Sequence, residues 1–137
     1  MNEIESLIPH RFPFLFVDEI LSAEKDEIVG IKTFDDSFSF FQEGFSKQKI
    51  VSNVILVESM GQCGGAGIKK LGIGGDALYG FAVIQNVQFF SNVEFGQTVK
   101  MVIKNLKISN KAIKQSGTAF CNDKVVAEAT WMCARLS

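Results

Sequence analysis

The sequence predicts an α+β fold, a mostly antiparallel sheet packed on one long helix. Hydrophobic residues make up 47% and charged residues 21% of the 137 residues. That balance and length suit one domain over 1–137 with a single core. The second half is a series of β-branched and aromatic runs separated by hairpin-length gaps, which reads as consecutive strands. Only one segment, 52–70, has the length and periodicity of a long helix, and its apolar residues run nearly all the way round, as in a helix enclosed by the rest of a protein.

Each element follows from local chemistry. Residues 2–8 suit a short amphipathic helical turn, and Pro9 and Pro13 stiffen the "PHRFP" stretch behind it. "FLFVDEI" (14–20) and "EIVGIKTFD" (27–35) read as strands, and "FSFFQEGFSKQK" (38–49) as a loop. Ser52 stands where a helix N-cap is expected. Gly61, Gly64, Gly65 and Gly67 each lower helix propensity by about 1 kcal/mol relative to Ala, so neighbours are expected to pack close to that backbone. "LGIGGD" (71–76) ends the helix. Strands are expected at 77–89, 97–109, 112–121 and 124–136. Lys100, Lys104, Lys107, Lys111 and Lys114 recur at helical spacing, but the β-branched content of their segment favours strand.

Composition excludes several classes. No apolar run reaches the roughly 18 residues of a membrane span. The acidic start "MNEIESLIPH" lacks a signal-peptide pattern, which predicts a cytoplasmic protein. Cys63, Cys121 and Cys133 form no CxxC pair and stand apart from the one histidine, so neither a disulfide framework nor a metal site is expected. No glycine pattern for nucleotides occurs, and no cofactor is expected. Residues 1–76 carry 12 acids against 7 bases, and residues 77–137 carry 3 against 7. The basic half could meet an acidic partner or be an ordinary solvated strand face. Aromatics do not interleave with its lysines, so nucleic acid is not expected.

Few residues remain for chemistry. In "VSNVILVESMGQCGG" (51–65), Glu58 lies among apolar residues, four positions from Gln62 and on the same helix face. An unpaired carboxylate taken out of water costs several kcal/mol, so it must be paired, protonated or useful. A carboxyl in apolar surroundings can act as a general acid; a plain hydrogen bond to Gln62 is the competing reading. His10, the sole histidine, is the one side chain with an unperturbed pKa near neutrality, although a structural hydrogen bond is the commoner role for such a residue. The 13 phenylalanines can line an acyl tunnel or simply fill the core.

Taken together, "LIPHRFPFLFVDEI", "FFQ" (40–42), "VILVESMGQ" (54–62), "LYGFAVI" (78–84) and "VVAEATWMCAR" (125–135) resemble the FabZ-type 3-hydroxyacyl-acyl-carrier-protein dehydratases over nearly the whole chain. The resemblance implies a hotdog fold, with an antiparallel sheet wrapped around a central helix. It also implies a dimer, often assembled further as a trimer of dimers. The substrate it implies is an acyl thioester on an acyl carrier protein, in fatty-acid, polyene or polyketide biosynthesis. In that family a His of one subunit and a Glu from the helix of the other share the chemistry. Glu58 matches the Glu, with Gln62 in support, and Asn53 matches the backbone N–H that polarises the thioester carbonyl. Phe41, Phe45, Phe89 and Phe90 are the implied tunnel residues.

The match breaks where the base should be. After "FFQ" the family reads Gly-His-Phe-Pro-Gly, whereas this chain reads Glu43-Gly44-Phe45-Ser46-Lys47. Gly44 holds the catalytic position and cannot take a proton. His10 corresponds to a different family histidine, in the Pro-His-Arg motif. Gln88, Phe89, Phe90 and Ser91 stand where the family carries basic residues near the tunnel mouth, which disfavours carrier docking on this subunit. These departures predict a pseudoenzyme-like subunit that lends Glu58 to a His-bearing paralogue. The alternatives are an active homomeric dehydratase, or another hotdog lyase or thioesterase, with a rearranged site, and a non-catalytic acyl-chain binder.

Overall fold

The computed structural model describes residues 2–35 and 50–136. Helix α1 spans Glu3–Leu7 and α2 spans Asn53–Lys70. The strands are β1 (Glu19–Ala23), β2 (Glu27–Thr33), β3 (Tyr79–Phe89), β4 (Thr98–Ile108), β5 (Ala112–Cys121) and β6 (Lys124–Arg135). They form one sheet in the order β1-β2-β4-β5-β6-β3, with every neighbouring pair antiparallel. Helix α2 lies against one face of this sheet and touches all six strands. This is the α+β hotdog arrangement that the sequence predicts, and the lysine-rich segment is strand β4 with the start of β5.

Alternation along the strands builds the core. Val99, Met101 and Ile103 of β4, with Ile113, Gln115, Ala119 and Cys121 of β5, turn inward and are buried, while Lys100, Lys104 and Lys114 turn out. Helix α2 meets that inner face closely because its glycines allow it. A β-carbon on Gly61 would strike the Phe81 ring, one on Gly64 the Gln115 amide, and one on Gly67 the Ile28 side chain. Gly65 differs, its nearest neighbour being Ile8 at 4.0 Å.

The ends of α2 depart from expectation in one respect. Ser52 occupies the N-cap position but its side chain makes no capping hydrogen bond. Gly72, at φ 78°, takes the left-handed conformation that stops a helix. Lys69 then ties down the following loop by donating to the carbonyls of Gly75 (2.6 Å) and Ala77. Helix α1 is closed by a capping box, in which the Glu5 N–H donates to Asn2 Oδ1 at 2.9 Å and the Asn2 N–H to Glu5 Oε1 at 3.4 Å.

The strand expected at 14–20 begins only at Glu19. Gln62 explains the shift. Its Oε1 accepts from the Phe16 N–H at 2.7 Å and its Nε2 donates to the Phe14 carbonyl at 2.9 Å, so residues 14–16 spend backbone groups on a helix side chain rather than on a strand ladder. The loop expected at 38–49 lies outside the described residues.

Strand β3 forms one edge of the sheet. Phe81, Val83, Ile84, Val87 and Phe89 on it, and Phe90 just beyond, are exposed large hydrophobics. An apolar edge with unpaired backbone groups is a template for another strand.

Candidate active site

Glu58 sits one turn before Gln62 on α2, and both line a cleft of about 710 Å³. The cleft follows the helix face marked by Glu58, Gly61, Gln62, Gly65 and Lys69. Residues 5–11 form one wall, and Leu78 to Phe81 with Leu136 form the other. Gly65 leaves part of its floor bare of side chains, whereas the Phe81 ring lies over Gly61.

The carboxyl of Glu58 is held by one neighbour and approached by another. Gln62 Nε2 donates to Glu58 Oε2 at 2.9 Å. With its other two bonds, to Phe14 and Phe16, the Gln62 amide is fully engaged, which fixes which end is oxygen and which is nitrogen. His10 Nε2 comes to 3.9 Å from the same Oε2. The His10 backbone is braced by Arg11, whose Nη1 donates to the carbonyls of Ile8 (2.9 Å) and His10 (2.8 Å) and whose Nε pairs with Glu5 at 3.2 Å. Glu58 is not sealed in the core as its sequence neighbours suggest: its side chain is 36% exposed in the cleft. The charge of Glu58 is felt by Cys133, whose thiol is pushed up to about 11, first by burial and then by that carboxylate.

Of the other residues singled out in the sequence, Asn53 opens the first turn of α2 and is exposed. It lies five residues from Glu58, about 7.5 Å along the axis. Phe89 and Phe90 are exposed at the far end of β3 and are not among the cleft residues. Gly44, Phe41 and Phe45 lie outside the described residues. No cluster of metal-ligating side chains occurs among the described residues, and no described helix is long and apolar enough to cross a membrane.

The structure adds two features. The first is His10 beside Glu58, which no spacing rule connects. The second is cationic: Lys107 and Lys114 face each other across β4 and β5, with Lys111 in the turn between. None of the three joins an ion pair among the described residues. Ile113, next to Lys114, lines the cleft.

A family described as the FabA-like domain matches residues 8–130. The chain belongs to the FabA-like family. Its FabA-like relatives include the 3-hydroxyacyl-[acyl-carrier-protein] dehydratase FabZ of Solibacter usitatus (strain Ellin6076), 36% identical over 134 residues, covering 97% of this chain and 83% of that one. The FabZ of Hydrogenobaculum sp. (strain Y04AAS1) is 38% identical over 135 residues, covering 96% and 91%. These matches make the chain a FabZ-like dehydratase homologue. Among solved structures, the dehydratase heterocomplex ApeI:P from Xenorhabdus doucetiae superimposes with a TM-score of 0.83 at 15% identity, over 100% of this chain and 93% of that one. The E. coli PaaI protein from the phenylacetic acid degradation operon gives 0.66 at 11% identity, over 85% and 82%. At these identities the structural likeness speaks for the hotdog fold.

Proposed function

We propose that this chain is the Glu-bearing subunit of a 3-hydroxyacyl-thioester dehydratase whose histidine comes from a paralogous partner. The observation that carries the reading is the Gln62-held carboxyl of Glu58 in an open cleft; the family resemblance, which implies Gly44 at the histidine position, supports it. The apolar β3 edge offers a surface for such a partner. A dehydratase heterocomplex among its fold neighbours supports pairing of unlike subunits.

In the proposed reaction the partner's imidazole takes the C2 proton of the substrate. The electron pair forms the C2–C3 double bond as the C3–O bond breaks. Glu58, protonated, gives its proton to the departing hydroxyl, which leaves as water. The Asn53 N–H at the start of α2 polarises the thioester carbonyl. The substrate is an acyl group on a carrier protein, as the relatives' names state for them.

Co-expression with a His-bearing relative tests the reading. Glu58→Gln in the mixed dimer is expected to lower turnover at least about 100-fold; unchanged turnover overturns it. One observation favours a second reading: His10 at 3.9 Å from Glu58 supplies a base within a single chain. Hydration of a crotonyl thioester by the purified chain alone, abolished by His10→Ala, supports that reading instead.

A further inference from the structure

We infer that His10 is a positioning residue for Glu58, a neutral hydrogen-bond donor that holds Oε2 alongside Gln62 and so confines the transferable proton to Oε1. The inference rests on the reading of Glu58 as the proton donor of a shared site.

Two observations carry it. First, Oε2 already accepts from Gln62 Nε2 at 2.9 Å, and the nitrogen of His10 that approaches the carboxyl, Nε2, lies 3.9 Å from that same oxygen. An oxygen that accepts from donors is the carbonyl-like oxygen of the protonated acid, so the acid proton belongs on the other one. The 3.9 Å separation is longer than a hydrogen bond. Such contacts commonly tighten when a site is completed by its substrate, or are bridged by one water.

Second, His10 Nδ1 is buried and has no hydrogen-bond partner among the described residues. If the ring carries its proton on Nε2, only a lone pair is left unpaired at Nδ1. The other tautomer, or the imidazolium, would bury an unpaired N–H, which native structures avoid more strongly. The environment therefore selects the tautomer whose N–H points at Glu58. Arg11, bonded to the His10 carbonyl and paired with Glu5, holds the segment that delivers the ring.

The chain has one histidine, so its imidazole nitrogens can be read directly. Nitrogen-15 spectra of the intact chain near neutral pH are expected to show the Nε2-protonated tautomer; the Nδ1-protonated form overturns the inference. Kinetics of the mixed dimer give the second measurement. His10→Ala is expected to lower kcat about tenfold with little change in KM, and His10→Gln, which returns a donor near the Nε2 position, to recover most of it. Wild-type kcat for His10→Ala overturns the inference, and so does equal loss in both variants, which assigns the ring a titrating role. Glu58→Gln in the same dimer is the reference: if it leaves kcat intact, the shared-site reading fails, while the spectra still decide the tautomer.

Discussion

The side-chain amide of Gln115 occupies the space that a β-carbon on Gly64 would need. That amide is fully buried. It accepts from the Trp131 indole at 3.0 Å and donates to Asn105 Oδ1 at 2.8 Å and to the Gly64 carbonyl at 3.3 Å. Helix propensity alone favours Gly64→Ala by about 1 kcal/mol. The displaced amide, however, would leave buried partners unsatisfied, at about 1–3 kcal/mol each. Urea denaturation is expected to show Gly64→Ala less stable by roughly 1–3 kcal/mol. Gly65→Ala, with nothing closer than Ile8 at 4.0 Å, is expected to be stabilising by up to about 1 kcal/mol.

Gln62 carries a similar load toward the N-terminal segment. Gln62→Met keeps the approximate volume and removes the acceptor for the Phe16 N–H and the donor to the Phe14 carbonyl. A loss of about 1–3 kcal/mol in unfolding free energy is expected. Amide hydrogen exchange at Phe16 is expected to accelerate, because that N–H is protected by the side chain rather than by a strand.

Lys107 and Lys114 are direct cross-strand partners. Like charges so placed destabilise a sheet, by about 0.2–1 kcal/mol for such pairs. Lys107→Glu is expected to raise the thermal midpoint at low salt, and the gain is expected to shrink as salt screens the pair. A gain that is independent of salt would show that repulsion is not its cause.

Alkaline pH is expected to weaken the fold. Burial pushes the Cys63 thiol up to about 12 and the Cys133 thiol up to about 11, against an ordinary value of 9.0. Between pH 9 and 12 the unfolded chain releases these protons while the native chain keeps them, so the native state binds more protons and stability falls as pH rises. The contribution is complete below pH 9. Urea midpoints are expected to be flat from pH 7 to 8.5 and to decline above 9, with a shallower decline in Cys63→Ala. Cys63 is also expected to resist alkylation at pH 8 in the native protein.

The sequence shows the glycine-rich helix, the strands of the second half and the Glu58–Gln62 pair, because those signals are local: propensity, alternation and an i, i+4 step. It conceals what depends on distant segments. "FLFV" has the composition of a strand, yet Gln62 claims its backbone groups. Glu58 looks buried because its sequence neighbours are apolar, although the helix turns it into a cleft. His10 reaches Glu58 only because the chain between them folds back through β1, β2 and the start of α2. A lone histidine between prolines carries no trace of that meeting.

The open flank of β3 also bears on how the chain must be produced. A long apolar strand at the edge of a sheet can pair with a matching segment that it meets, including another molecule caught halfway through folding. Polypeptide made faster than that flank is covered is expected to accumulate as insoluble deposits or to fall to proteolysis.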